Sequence, residues 1–160
     1  MASAPHGFTP QAWTSNGNPT YEAPEKKTPL TTPGRRKAIL DTSVLIAADA
    51  DLSGLVCQIS AVSYAELHFG VHAARGDEAR LARQHRLTLI QAIYGHGIAF
   101  TDVTAHHYGL LCGRLKQQGR SPRGRAMDLM IAATALSLGA VLVTRNAADV
   151  EGLGVSLLIR

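Results

Sequence analysis

Residues 37–44 read Lys-Ala-Ile-Leu-Asp-Thr-Ser-Val, a short apolar run that stops on an acid and two hydroxyls. A run this short and this apolar reads as a strand buried on both faces, the kind found in parallel sheets covered by helices. A similar pattern lies near the other end, where Ala140-Val-Leu-Val-Thr144 is followed by Arg-Asn-Ala-Ala-Asp149. Both runs therefore present polar residues where their strands finish. In a parallel α/β sheet that is the working edge.

Between the two runs, short apolar stretches alternate with longer periodic ones. The spacing predicts a helix over 42–50, a short strand over 56–59, a helix over 63–74 and a charged helix over 78–94. It then predicts a strand over 98–100, a helix over 104–118 ended by Gly119 and a helix over 127–138 ended by Gly139. A strand over 140–144 and a last apolar run over 155–159 complete the chain. Alternating β and α units with glycine at helix ends predict an α/β fold, its mostly parallel sheet covered on both faces. No internal repeat is visible.

The chain has 160 residues, 46% of them hydrophobic and 18% charged, which suits one ordinary core. Residues 1–36 stand apart, because they hold six of the seven prolines and almost no Val, Ile or Leu. Such a segment buries too little to offset the cost of ordering it, so a disordered, Pro-rich arm is expected there. With Lys26, Lys27, Arg35 and Arg36 against Glu22 and Glu25, the arm is also basic. The domain is expected over 37–160. No apolar run approaches the roughly 18–20 residues of a bilayer span and no signal-peptide pattern opens the chain, so a cytoplasmic protein without a membrane partner is expected. Cys57 and Cys112 each sit in apolar sequence, which suggests core positions and no disulfide framework. A net charge of +4 is compatible with a nucleic-acid partner and decides little by itself.

The sheet-edge rule selects among the twelve acids. Asp41 follows the first strand directly, and Asn146 with Asp149 follows the late one. Asp128 opens a predicted helix and shares its apolar stripe with Ile131, Ala132 and Ala135. An acid on a core-facing stripe needs a cation or hydrogen bonds, although the helix dipole alone also favours a first-turn carboxylate. Glu66 is ambiguous, since Ser63-x-x-Glu66 fits a capping box whose glutamate merely bonds the helix start. His68 and His72 have zinc-like spacing but sit half a turn from Glu66, and His106 and His107 read as surface.

Taken together, these residues resemble the PIN-domain ribonucleases, and within them the VapC-like toxins of bacterial toxin–antitoxin pairs. The resemblance rests on Ile39-Leu-Asp-Thr-Ser-Val44, Ser60-Ala-Val-Ser-Tyr-Ala-Glu-Leu67, Asp128-Leu-Met-Ile-Ala-Ala-Thr-Ala135 and Leu142-Val-Thr-Arg-Asn-Ala-Ala-Asp149, in that order. It spans 37–160 and leaves the arm unmatched. It implies a PIN-like three-layer α/β/α sandwich in which Asp41, Glu66 and Asp128 are the core acids. Many members carry a fourth acid after the Thr-Arg, where this chain has Asn146. Asp149, three residues on, is the candidate to replace it, and either residue remains open as the one that completes the site. Thr42, Ser43 and Thr144 resemble the supporting hydroxyls.

The chemistry implied is endonucleolytic hydrolysis of RNA. Two carboxylates about 4 Å apart at an effective dielectric near 20 repel by roughly 4 kcal/mol, so such a cluster calls for divalent cations. All-oxygen ligands favour Mg²⁺ or Mn²⁺ over zinc. An acidic pocket also needs a basic rim to receive a polyanion. Arg114, Lys116, Arg120, Arg123 and Arg125, just ahead of Asp128, are the expected RNA contacts, with Arg75, Arg80, Arg83 and Arg86 read as a solvated helix face or partner surface. As partners the resemblance implies RNA (tRNA, rRNA or mRNA), a VapB-like antitoxin laid across the groove, and a homodimer. The predicted helix over 63–74, with Tyr64, Leu67, Phe69 and Val71 spread around it, is expected to form much of the antitoxin groove together with its charged neighbour. A catalytically silent PIN-like module that binds RNA or protein is the alternative, and Asn146 in place of an acid is its main support. A receiver domain fits less well, because no second acid lies two residues beyond Asp41 and no lysine follows the late strand.

Overall fold

A computed structural model of the chain describes residues 35–160. The expected arm, apart from its last two residues, lies outside the described residues. The described part holds four strands: β1 (Arg36–Leu40), β2 (Leu55–Ile59), β3 (Val141–Thr144) and β4 (Leu157–Ile159). Five α-helices accompany them: α1 (Thr42–Ala47), α2 (Ala61–His72), α3 (Asp77–Tyr94), α4 (Asp102–Gln117) and α5 (Ala126–Ser137).

The strands form one wholly parallel sheet in the order β2-β1-β3-β4. Ile39 is paired with Gln58 on one side and Leu142 on the other, which fixes β1 and β3 as the buried centre. The chain leaves β1 toward β2 and later returns to the opposite side of β1 as β3. The sheet order therefore reverses between β1 and β3, and a crevice opens beyond their carboxyl ends. Asp41 sits in that crevice, its backbone N–H donating to the Val143 carbonyl at 2.9 Å.

Alternation along the central strands splits the core into two layers. Ile39 and Leu142 join Leu111 and Leu115 of α4 and Leu129, Ile131 and Ala132 of α5. Ala38, Leu40 and Val143 join Val44 and Leu45 of α1, Leu67 and Val71 of α2, and Leu87 and Ile90 of α3. This is the expected three-layer α/β/α arrangement. Helix α5 carries an unbroken buried run from Ile131 to Ala135, whose small side chains let it lie close to the sheet. That approach brings its first turn, with Asp128, to the crevice.

Four local readings need correction. Helix α2 starts at Ala61, two residues early, because Ser60, extended at the end of β2, is its N-cap and accepts the Ser63 N–H at 2.9 Å. Ser63 is thus inside the helix, and the capping box proposed for Glu66 does not exist. Residues 98–100 make no full strand. Ile98 bridges Ser60 alone, with Ile98 N–H donating to Ile59 O and Ala61 N–H to Ile98 O, both at 2.8 Å. The chain then turns away, and Phe100 packs edge-on against Tyr108. Gly97 makes this approach possible, since a Cβ there would stand 2.8 Å from the Tyr64 ring and 2.9 Å from the Ala61 backbone. Helix α1 ends at Ala47, because Ala48 adopts left-handed backbone (φ 57°) and closes it with a bond to Val44 O. Cys57 and Cys112 are half-buried beside the core layers rather than inside them.

Candidate functional site

Asp41 is built into the crevice by its position between β1 and α1. It caps α1, accepting the Thr42 N–H at 2.8 Å on Oδ1, and it is only 7% exposed. Its other oxygen accepts the Ser43 hydroxyl at 2.6 Å and the Thr144 hydroxyl at 2.7 Å. A buried carboxylate needs such donors to replace its lost hydration. Three hydrogen bonds, from Thr42, Ser43 and Thr144, fix its orientation.

Glu66 projects from the second turn of α2 and accepts the Thr42 hydroxyl at 2.6 Å. Thr42 thus donates to two acids at once, through its backbone to Asp41 and through its side chain to Glu66. Thr144 plays a matching part on the other flank, where its hydroxyl oxygen accepts the Asn146 N–H at 3.0 Å. The Ser43 hydroxyl oxygen accepts Arg145 N–H at 3.2 Å. The three hydroxyl residues therefore join β1, β3 and α2 into one hydrogen-bonded edge.

Asp128 lies in the first turn of α5, as the dipole would favour. Its carboxyl is pushed up to about 6, first by burial and then by the like charges of Asp41, Asp149 and Glu66. No side-chain donor among the described residues relieves it. Asp41, Asp149 and Glu66 thus all lie near enough for their charges to act on Asp128. Asp149 differs from the rest, because Arg125 Nε donates to one of its oxygens at 2.8 Å and Asn146 Nδ2 to the other at 2.5 Å. Asn146 is therefore a positioner of Asp149 in this arrangement.

Among the described residues no three His, Cys, Asp or Glu side chains form a ready-made metal group. His68 and His72 are both exposed on α2.

The expected basic rim divides. Arg114 donates to Leu153 O at 2.5 Å, Arg120 donates to Ala148 O, and Arg125 is paired with Asp149. These three brace the segment after β3, and Arg114 is exposed as it does so. Lys116 and Arg123 stay exposed. The structure adds two residues that the sequence reading assigned elsewhere: Arg83 and Arg86 of α3 line a recess of about 310 Å³ whose wall includes Glu66. Their spacing of three along a helix was the available signal, masked by one further arginine on α3, Arg80, and by Arg75 just before it.

The groove reading of α2 also changes. Leu67 and Val71 are 8% and 6% exposed and belong to the core, whereas Phe69 is 72% exposed. Tyr64 is half-buried and donates its hydroxyl to Gly95 O at 2.7 Å.

Fold and site define an α/β protein with four carboxylates gathered at the switch point of a parallel sheet. Residues 38–148 match the PIN domain model, and the chain belongs to the PIN-domain family. Its relatives within that family are of VapC type: it is 32% identical to VapC ribonuclease Y4jK of Sinorhizobium fredii over 124 residues, 76% of this chain and 86% of the relative. Among solved structures it resembles VapBC-5, a member of the VapBC family of toxin-antitoxin systems from Mycobacterium tuberculosis. The TM-score is 0.63 at 29% identity, covering 78% of this chain and 97% of that one. VapBC2 from Rickettsia felis, solved bound to a DNA fragment from its promoter, shares the fold with a TM-score of 0.66 at 24% identity, covering 78% and 98% of the two chains.

Proposed function

We propose that this chain is a divalent-metal-dependent endoribonuclease and the toxin half of a toxin–antitoxin pair. The observation that carries the reading is the hydrogen-bonded edge that ties Asp41 and Glu66 together through Thr42, Ser43 and Thr144. Asp128 stands beside them with its carboxyl raised, first by burial and then by its acidic neighbours, and Arg125 on Asp149 offsets only part of that negative charge. Asp41, Glu66, Asp128 and Asp149 supply only oxygen donors, the chemistry that fits Mg²⁺ or Mn²⁺. When bound, the ion would supply charge neutralisation at the scissile phosphate and an acidified water.

The chain's own residues do the positioning. Ser43 and Thr144 hold Asp41 in one rotamer, and Thr42 holds Glu66 against it. Arg125 offsets part of the acidic charge at Asp149, with Asn146 fixing its second oxygen. Lys116 and Arg123 would receive backbone phosphates of the RNA, whose contacts orient without reading sequence. Purified chain given Mg²⁺ and a pool of cellular RNA should release discrete fragments, and DNA of matching sequence should not be cut. A binding-only module, the reading favoured by Asn146 and by the engaged state of Asp149, would retain RNA without cutting it.

The relatives solved as VapBC complexes support a VapB-like antitoxin as partner. A second support is an apolar recess of about 470 Å³ between α1 and α3, lined by Leu45, Ala48, Leu89, Ile90, Ile93 and Tyr94. Leu89 and Ile93 are exposed there, as is Phe69 on α2. An antitoxin bearing an apolar stripe would cover this surface. Val103 and Leu110, exposed two turns apart on α4, give the expected homodimer an apolar stripe of its own.

A further inference from the structure

The recess beside Glu66 lies between α1, α2 and α3 and is lined by Ile46, Glu66, Leu67, Gly70, Arg83 and Arg86. Arg86 borders both this recess and the larger apolar one, but only here does a second guanidinium, Arg83, join it over an apolar floor. Arg83 is held in place, donating from Nη1 to the Gly70 carbonyl at 2.6 Å, which leaves its remaining N–H groups for a ligand. Arg86 lies one turn further along the same face of α3 and has no side-chain hydrogen bond among the described residues. Ile46 is 49% exposed and forms an apolar lip. Gly70 leaves the floor open, since a Cβ there would meet nothing within 4 Å.

Resting on the nuclease reading above, we infer that this recess is a nucleotide subsite. It takes the base of the residue adjoining the scissile phosphate between Ile46, Leu67 and the guanidinium planes, with the flanking phosphate on Arg86. Three features select this ligand. Glu66 belongs both to the recess wall and to the acid cluster, so an occupant is contiguous with the reaction centre. Two arginines suit a phosphodiester and stack on bases, which present an apolar face whatever their identity. A volume of about 310 Å³ sits at the small end of ligand pockets and suits one nucleotide.

Gly70→Leu fills the recess without straining the chain and improves helix propensity, so folding is not at issue. Arg86→Ala removes the phosphate contact, and Arg80→Ala, outside the recess and paired with Asp77, is the control. Each is assayed on an end-labelled RNA pool with cut sites mapped, and on bis(p-nitrophenyl) phosphate, which carries no adjoining nucleoside. With Gly70→Leu and Arg86→Ala, the RNA rate should fall about ten-fold further than the ester rate, and base preference beside the cut should change. An unaltered cut-site profile, or equal losses on both substrates, overturns the subsite while leaving the nuclease reading intact. Unaltered cutting with lost inhibition by a bound antitoxin would assign the recess to the protein partner instead. A parent chain that cuts neither substrate removes the nuclease reading and the subsite with it.

Discussion

The Thr42 hydroxyl donates to Glu66 across 24 residues of sequence, at 2.6 Å, while its own backbone N–H donates to Asp41 at 2.8 Å. One residue thus sets the separation of two acids that arise on different elements. Thr42→Val keeps the shape and removes the hydroxyl, which leaves Glu66 without that donor at a net cost of about 1 kcal/mol. Metal-dependent RNA cleavage should fall about ten-fold, and Thr42→Ser should restore most of it. Equal rates for Val and Ser variants would show that the bond is incidental.

Asp128 gives a pH-dependent stability with a definite sign. Its folded carboxyl is raised to about 6 from 3.8, so the fold favours the protonated form. The penalty is absent below about pH 4, grows between about 4 and 6, and is complete above that. Because the group is half exposed, the contribution is discounted to about 1 kcal/mol. Asp128→Asn should therefore raise the melting temperature by roughly 3–5 °C at pH 7.5 in EDTA and by nearly nothing at pH 4. Mg²⁺ should stabilise the parent and lose much of that effect in the variant. Melting curves over pH with and without chelator check both.

The pairing of Asp149 with Arg125 bears on metal affinity. Arg125 already places a cation on this carboxylate, so Arg125→Ala should tighten Mn²⁺ binding about three- to ten-fold. Asp149→Asn should weaken it more than Asn146→Ala, since asparagine offers only a neutral carbonyl. Calorimetric titration with Mn²⁺ measures all three. A loss seen with Asn146→Ala alone would place the fourth ligand at Asn146.

Two apolar residues of α2 should behave oppositely. Leu67→Asp buries a charge in the layer that holds Leu40 and Val143, which costs several kcal/mol and unfolds the chain at ordinary temperature. Phe69→Asp changes an exposed position and should leave the melting temperature within about 2 °C of the parent. It should nonetheless weaken antitoxin capture in a pull-down, with RNA cleavage by the free chain retained. Undiminished capture would move the partner surface off α2.

Asp41 was readable from the sequence because it ends an apolar strand, and Asp128 because it sits on a helix stripe otherwise made of Ile and Ala. Parallel pairing followed from the same alternation of short and periodic segments, whereas the strand order β2-β1-β3-β4 was visible only in the structure. Glu66 was not readable with the same clarity. Ser63-x-x-Glu66 imitates a capping box, and only the extended backbone of Ser60, visible in three dimensions, shows that the cap lies elsewhere. Helix α2 is apolar around much of its circumference, so periodicity could not separate buried Leu67 from exposed Phe69. Arg83 and Arg86 looked like a solvated face because the partner elements of their recess, α1 and α2, come from more than 10 residues away. The engagement of Arg125 with Asp149 spans 24 residues and leaves no local signal.

If the acids around Asp128 cut RNA by holding a divalent cation, chelation should abolish cutting and re-addition of the ion should restore it. Parent chain and Asp41→Asn are each incubated with cellular RNA in Mg²⁺, in excess EDTA, and in EDTA followed by excess Mn²⁺. Discrete fragments should appear with Mg²⁺, vanish with EDTA and return with Mn²⁺ for the parent, while Asp41→Asn should give at most about 1% of the parent rate throughout. Cleavage equal with and without chelator, or retained in Asp41→Asn, would contradict the account.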